Sequence, residues 1–296
     1  MNGKYSIFAI VLIAITLLFD SCASTVSITG LQQEADSAYD SGQFQQALKH
    51  YENLIQKWNA NHQQENNPYY DKAGHAALGM NDMNLALEYF SQSIHYGTAS
   101  SKTFQSLIAH YQAENNISRE MMTIEDYIAT YPDDSLAKSN QSRLFEIYAV
   151  TSQWEKAIRQ WENIDDKDDI PLLELYFDAN KQLENTSICE QVANKLLNKD
   201  PDNLKALEWE AAKFYDRAEK RYAKELEAYE QNKTRRQYAI LLEGYEIAGK
   251  DYRKARDLYE KLYSLKPDRR YAIYLHNIYA RFQDEEKASF YRNKMK

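Results

Sequence analysis

At 296 residues, the chain could form one large domain, two ordinary domains, or a repeat array whose core grows by stacking. Hydrophobic residues make up 44% of it, and only 8 glycines and 5 prolines interrupt it, so the composition favours a helical protein with a substantial core. The net charge of −8 disfavours contact with a phosphate backbone, and we therefore expect no nucleic-acid partner.

The N-terminal residues follow the arrangement of an export signal, a positive charge and then an apolar run. Lys4 precedes an apolar run, residues 5–19, which is shorter than the roughly 20 residues of a membrane-spanning helix and typical of a signal-peptide core. The sequence Leu18-Phe19-Asp20-Ser21-Cys22 that ends this region resembles a bacterial lipoprotein processing site. The resemblance implies cleavage before Cys22 and a diacylglycerol thioether on it. An ordinary signal peptide and an uncleaved anchor remain the alternatives.

This interpretation divides the N-terminus into a signal peptide, residues 1–21, and a lipidated flexible tether, residues 22–30, whose side chains are small and uncharged. No aspartate directly follows Cys22, which in lipoproteins of this type implies the outer membrane. No acidic cluster follows either, which favours the periplasmic face over the cell surface. We therefore expect an outer-membrane lipoprotein that faces the periplasm.

A small residue recurs along the chain, each time between aromatic or apolar residues at helical spacing. These positions, where two helices of a hairpin would cross closely, are Ala47, Ala86, Ala157, Cys189, Ala255 and Ala288. Their intervals are 39, 71, 32, 66 and 33 residues, so two of the intervals correspond to two units of about 34. The spacing predicts a chain of helical hairpins.

The segment around Ala255 shows the unit most clearly. Tyr252 precedes this alanine by three residues, Tyr259 follows it by four, and Lys266-Pro267-Asp268 closes the unit. We expect a helix, a tight turn at Gly249-Lys250, and a second helix. The pattern resembles the tetratricopeptide repeat, and the resemblance implies an all-α, right-handed α-solenoid.

The repeats are expected at residues 31–203, as five units, and at residues 235–296. The third unit departs from the pattern, because Glu120 or Met121 occupies the small position, and its hairpin is predicted to be splayed. An irregular helical array with the same local hairpins is the alternative.

The intervening segment, residues 204–234, predicts one long charged helix. An apolar stripe in steps of three and four residues runs through Ala211, Tyr215, Ala218, Tyr222, Leu226 and Tyr229. No turn residue interrupts it before Asn232-Lys233-Thr234, so we expect a helix from about 204 to 231. Such a helix could project as an arm toward a partner, or it could be a solvated element that reorients the array.

No catalytic or cofactor motif is present, so we expect neither an enzyme nor a bound cofactor. The six histidines are isolated from one another, and the acidic cluster at residues 165–169 lacks the glycine and the final glutamate of a calcium loop. Cys189 occupies a packing position without an activating neighbour. We therefore expect no metal site.

The expected function follows from shape, since stacked hairpins form a concave groove that takes a peptide or a helix. The groove positions predicted from the repeat register are Tyr39, Tyr70, Gln105, Gln141, Asn180 and Asn277. In overall plan the chain resembles the repeat-containing lipoprotein of the β-barrel assembly machinery. This suggests a scaffold for other envelope proteins in envelope assembly or maintenance. The alternative is a lipoprotein that binds a glycan or peptide for nutrient uptake. The sequence does not fix the oligomeric state.

Overall fold

The computed structural model describes residues 27–62 and 66–295, and the predicted signal peptide and Cys22 lie outside these ranges. Within the described residues there are fourteen helices and no strand. The chain divides into two compact units, Met1–Pro132 and Asp133–Lys296. Across the described ranges, no helix combines the length and the apolar character that crossing a bilayer requires.

The described part of the first unit consists of three helical hairpins in succession. Its helices are α1 (Ile28–Asp40), α2 (Phe44–His62), α3 (Tyr69–Gly79), α4 (Met83–His95), α5 (Ser101–Ala113) and α6 (Ile117–Thr130). The helices pair as α1 with α2, α3 with α4, and α5 with α6, and α2 also packs against α3.

The second unit consists of four hairpins. Its helices are α7 (Ser135–Val150), α8 (Trp154–Trp161), α9 (Ile170–Gln182), α10 (Thr186–Lys199), α11 (Leu204–Gln231), α12 (Arg235–Leu265), α13 (Arg269–Arg281) and α14 (Glu285–Asn293). Each odd-numbered helix pairs with the helix that follows it, and α11 with α12 forms the most extensive pair.

The hairpins recur with the period of a tetratricopeptide repeat. First helices begin at residues 28, 69, 101, 135, 170, 204 and 269, so four successive intervals lie between 32 and 35 residues. That is the length of one helix–turn–helix repeat, about 34 residues. The prediction of an all-α array of tetratricopeptide-type hairpins, with one long helix at 204–231, is confirmed.

A common turn geometry closes most of these hairpins. Six of the seven hairpin turns in the described residues carry one residue in the left-handed region, namely Gly42, Asn81, Asn115, Ser152, Glu184 and Gln283. A single left-handed residue directly after a helix reverses the chain tightly and lets the next helix start within a few residues. In the second hairpin the side chain of Asp82 then caps α4 by accepting a hydrogen bond from the Leu85 amide at 3.1 Å.

Close crossings hold each hairpin together. The six small residues picked out by their spacing all lie in second helices or, for Ala255, in α12, and each is completely buried. Gly74 on α3 shows how tight the crossing is, because a Cβ at this position would lie 2.5 Å from the Phe90 ring. In the third hairpin Glu120 occupies the small position with 1% of its surface exposed, and its carboxylate accepts a hydrogen bond from Gln112 at 2.9 Å.

The predicted turn at Gly249-Lys250 is wrong. α12 runs without interruption from Arg235 to Leu265, 31 residues, through the glycine. The reason is its partner: α11 runs antiparallel beside it, and Tyr222 stacks on Tyr245 with ring centroids 4.2 Å apart. Ala248, Tyr252, Ala255 and Tyr259 continue one buried stripe across the expected turn. A glycine inside a helix costs only about 1 kcal/mol, which packing along a long partner helix outweighs.

One ion pair lies where the turn was expected. The Arg217 guanidinium donates to both carboxylate oxygens of Asp251, with Nε–Oδ2 at 2.6 Å, and the Asp251 side chain is almost buried. Because Arg217 neutralises its charge and fills its hydrogen bonds, Asp251 can lie inside the α11–α12 interface although aspartate is typical of turns. The long hairpin of α11 and α12 is hereafter called the arm.

Candidate functional site

An open cavity of about 310 Å³ in the first unit is formed by the first helices of its three hairpins. The lining residues come from α1, α3 and α5, with one from α2, and are Asp36, Tyr39, Asp40, Tyr51, Lys72, His75 and Lys102. On α1, spacings of three and four residues place Asp36, Tyr39 and Asp40 on one face. Most lining residues are polar or charged, so the cavity is suited to polar groups rather than to a lipid or an aliphatic ligand.

Asp36 is the centre of the polar network. Lys72 Nζ donates to its two oxygens at 2.7 and 2.9 Å, and the Tyr51 hydroxyl donates to Oδ1 at 2.7 Å. Burial pushes the pKa of Asp36 upward, but the hydrogen bonds from Lys72 and Tyr51 outweigh burial and hold the pKa below its usual value. Burial and the bond to Asp36 raise the pKa of Tyr51, so its hydroxyl keeps its proton as a donor.

A second polar cluster adjoins the cavity through His75, which belongs to both. The Asp71 carboxylate accepts hydrogen bonds from the Ser100 amide at 2.9 Å and from Thr103 Oγ1 at 2.5 Å. Because Thr103 gives its proton to Asp71, the nearby His75 Nε2 is the donor to Thr103, at 3.1 Å. Burial lowers the pKa of His75, and Lys102 lowers it further against the opposite effect of Asp71, so the imidazole is neutral.

This cluster contains a serine, a histidine and an aspartate but lacks the geometry of nucleophilic catalysis. A triad needs the acid on one ring nitrogen of the histidine and the nucleophile on the other. Here Asp71, Ser100 and Thr103 all lie on the Nε2 side of His75, and Nδ1 has no hydrogen-bond partner. The cluster instead fixes α5 against α3. Within the described residues, no group of His, Cys, Asp or Glu side chains is arranged to hold a metal ion.

Two charged side chains of the cavity remain available to a ligand. Lys102 is exposed and makes no ion pair with a described residue; its Nζ donates to the Tyr39 hydroxyl at 3.1 Å and lies 5.6 Å from the centre of that ring. Asp40 is exposed and, among the described residues, has no ion-pair partner. A cation and a carboxylate on facing first helices can bind the charged or backbone groups of an extended peptide.

Two further cavities, of about 390 and 500 Å³, share Trp209 and Ala212 in the second unit. The first is lined by four aromatic side chains, including Tyr271 and Tyr274, and by three charged ones. The second is lined mainly by charged residues of α11. Trp209 Nε1 is buried and has no hydrogen-bond partner among the described residues, so the indole contributes its ring and not its N–H to the cavities.

The predicted groove residues are placed unequally. Tyr39 lines the cavity of the first unit. Gln105 and Gln141 are half-buried, and each is held by hydrogen bonds, Gln105 to Ser101 at 3.0 Å and Gln141 to Gln160. Asn277 is exposed and lines an open cavity between α11 and α13.

The placement of Tyr70 and Asn180 in the groove is wrong. Tyr70 is 9% exposed and turned away from it, stacking on Tyr96 and accepting a hydrogen bond from Asn59 on α2 at 3.1 Å. Asn180 is 1% exposed, and it donates to the Tyr176 carbonyl at 2.8 Å and accepts from Asn185. Both errors concern helix rotation, because a shift of one residue in the register turns the predicted side-chain direction by about 100° around the helix axis.

Most residues of the cavity are not predicted from the repeat register. Lys72, His75 and Lys102 were not predicted as groove residues, although they lie on the same first helices. Asp36 precedes Tyr39 by three residues and therefore shares its face, which is a signal that the sequence contains. To predict which residues of α3 and α5 line the cavity, one must know how each helix is rotated about its axis, and the sequence does not specify that rotation.

No protein-family model and no curated protein matches the chain. Solved structures do match it. A candidate protein-binding protein from Bacteroides ovatus is 17% identical, with a TM-score of 0.49 over 62% of this chain and 99% of that chain. The C-terminal part of a TPR repeat-containing protein from Cytophaga hutchinsonii is 14% identical, with a TM-score of 0.43 over 89% and 93% of the two chains.

YrrB, described as a TPR protein with an unusual peptide-binding site, is 11% identical, with a TM-score of 0.40 over 74% of this chain and 95% of that chain. All of these TM-scores are low. The assignment of the fold therefore rests on the repeat period, the turns and the helix pairs of this chain.

Proposed function

We propose that this protein is a periplasmic scaffold, tethered to the outer membrane through a lipid on Cys22, that holds an extended peptide or a helix of other envelope proteins. The observation that carries the proposal is the cavity of the first unit, in which three successive first helices present charged and aromatic side chains to one opening. Repeated first helices facing one groove are suited to an extended chain, because each hairpin adds a similar set of contacts along it.

The chemistry of the cavity favours a polypeptide ligand. Lys102 supplies a cation for a carboxylate, Asp40 supplies an acceptor for amide or ammonium groups, and the Tyr39 ring lies between α1 and α5 for a side chain to pack on. No acid–base pair there has the geometry for bond cleavage. Binding without turnover is the role that these groups support.

A crosslinking experiment in cells tests this function. A photo-crosslinking amino acid replaces Tyr39, and the captured proteins are identified in three backgrounds: unchanged, Lys102→Glu, and Lys49→Glu. Lys49 is an exposed lysine on the second helix α2, so its reversal is the matched control for charge. We expect a defined envelope protein to be captured, lost with Lys102→Glu, and retained with Lys49→Glu.

Two outcomes would contradict the proposal. Capture that is equal in all three backgrounds would mean that the cavity does not select the partner. Absence of any captured protein, together with a rise of the melting temperature when oligosaccharides are added to the purified protein, would favour the ligand-binding alternative instead.

A further inference from the structure

The arm carries a stripe with aromatic and aliphatic side chains in its middle and an arginine at each end, and no described helix covers it. On α12 the stripe consists of Arg235, Tyr238, Leu242, Tyr245, Gly249 and Arg253, in steps of three, four, three, four and four residues. These steps keep one helical face for five turns, roughly 27 Å. Tyr238 and Leu242 are each 50% exposed.

Side chains of α11 widen this stripe into a surface. Tyr222 stacks on Tyr245 at 4.2 Å, and Tyr229 contacts Tyr238 with ring centroids 5.7 Å apart. Leu226, on the same face as Tyr222 and Tyr229, is 37% exposed. We call these three residues, together with the six of α12, the arm shelf. Its two tyrosine contacts fix the side chains in place, so a partner would meet a preorganised surface.

α13 ends partway along the shelf, at the level of Tyr222 and Tyr245. Arg281, the last residue of α13, lies over the Tyr222 ring at 4.1 Å and donates to Glu219 at 3.1 Å. From this level to the tip of the arm, Leu226, Tyr238 and Leu242 are exposed, and the tyrosines of α11 are half-buried.

The charges around the shelf define the chemistry of its partner. Three carboxylates beside it are paired: Glu219 with Arg281 at 3.1 Å, Glu230 with Lys233 at 2.7 Å, and Glu246 with Lys250 at 3.4 Å. Glu227 and Glu243, which flank the shelf, are exposed and make no ion pair with a described residue. The arginines at its two ends, Arg235 and Arg253, are likewise exposed and make no ion pair with any described residue. The only charged side chains among the nine described residues of the shelf are therefore these two arginines, one at each end.

The position of Arg235 adds to this argument. It lies in the first turn of α12, where the helix dipole disfavours a cation, and the same turn contains no acidic residue. Its placement works against the stability of the isolated arm. A carboxylate supplied by a partner would relieve the unfavourable interaction at this helix end.

We propose that the arm shelf is a docking site for an acidic amphipathic helix of another protein. The apolar side chains of that helix would pack on Tyr238, Leu242 and Leu226. Its carboxylates would pair with Arg235 and Arg253. A second copy of this chain fits less well, since it would bring the same unpaired arginines. The site is separate from the cavity of the first unit and does not depend on the function proposed for that cavity.

The test uses the purified chain and a synthetic probe. The probe is an amphipathic helix about five turns long, roughly the length of the shelf, with leucines along one face and glutamates beside them. A matched peptide carries lysine at every glutamate position. Binding is measured by fluorescence anisotropy at low and high salt for the unchanged protein, Arg235→Glu/Arg253→Glu, and Leu242→Glu.

We expect the acidic peptide to bind the unchanged protein at least about tenfold more tightly than the basic peptide, with an affinity that falls as salt rises. The double arginine reversal should invert this preference, and Leu242→Glu should weaken both peptides. The cavity variant Lys102→Glu should leave the affinity for the acidic peptide unchanged. All of these residues are exposed, and circular dichroism with thermal melts checks that each variant is folded.

Several results would overturn the proposal. One is equal binding of the two peptides; another is a preference that the arginine reversal leaves unchanged. Self-association in light scattering that Leu242→Glu abolishes would assign the shelf to a second copy. Binding to vesicles of phosphatidylglycerol and phosphatidylethanolamine that the same variants abolish, without peptide binding, would assign it to a membrane.

Discussion

Small residues at helix crossings set the spacing of every hairpin in this protein that carries one. Ala47, Ala86, Ala157, Cys189 and Ala288 are completely buried on second helices, and Ala255 is completely buried on α12. Burial raises the pKa of the Cys189 thiol, which keeps the sulfur protonated and makes it a small apolar group rather than a nucleophile. The role of Cys189, like that of the alanines, is to be small enough for two helices to cross closely.

Ala255→Trp tests that role. The larger side chain cannot fit between α11 and α12, and we expect the free energy of unfolding to fall by about 1–3 kcal/mol or more. Ala223→Trp is the matched control, because Ala223 is exposed on α11 and its replacement should change stability little. Urea titration of both variants gives the comparison. Equal stability of the two variants would mean that Ala255 is not at a tight crossing.

The arm is the element that departs most from a standard repeat. In the described residues it is the one hairpin whose turn has no left-handed residue, and its helices of 28 and 31 residues are about twice the usual length. The two helices interlock closely. Glu225, 8% exposed, lies opposite Gly244, where a Cβ would come within 2.4 Å of its Cγ.

The two glycines of α12 give opposite predictions. Gly249→Ala should stabilise the protein by about 0.5–1 kcal/mol, because alanine favours a helix and the nearest atom to the new Cβ is the flexible Arg253 guanidinium, at 3.5 Å. Gly244→Ala should destabilise it, since the new Cβ meets Glu225. Thermal unfolding measures both. Destabilisation by Gly249→Ala would indicate that residue 249 lies in a turn, as expected from the sequence, and would contradict a continuous α12.

At the scale of the whole molecule, the lipid tether would concentrate an acidic protein of net charge −8 at a membrane surface. The proposal therefore predicts that the native protein fractionates with the outer membrane and that Cys22→Ala releases it into the soluble periplasmic fraction. The check is cell fractionation followed by mass spectrometry of the N-terminal peptide, which should carry a lipid on Cys22. An N-terminal peptide without lipid, from a protein still in the membrane fraction, would contradict the tether and favour the uncleaved anchor.

The fold was largely determined by the sequence itself. Apolar spacing, few breakers and a recurring small residue specify helices that must pair at a period near 34 residues, because a single amphipathic helix cannot bury its own apolar face. The stripe from Ala211 to Tyr229 likewise located α11, since it keeps one helical face without a turn residue. These features depend on interactions between neighbouring residues, which the sequence records directly.

The tertiary structure decided the rest. Gly249-Lys250 has the local chemistry of a turn, but a long partner helix pairs with both sides of it and keeps α12 continuous. Asn180 has the polarity of a groove residue, but the rotation of α9 buries it. Lys102 meets Tyr39 across 63 positions of sequence. Each of these results depends on which surfaces of distant helices meet, and the packing of the whole unit fixes that choice.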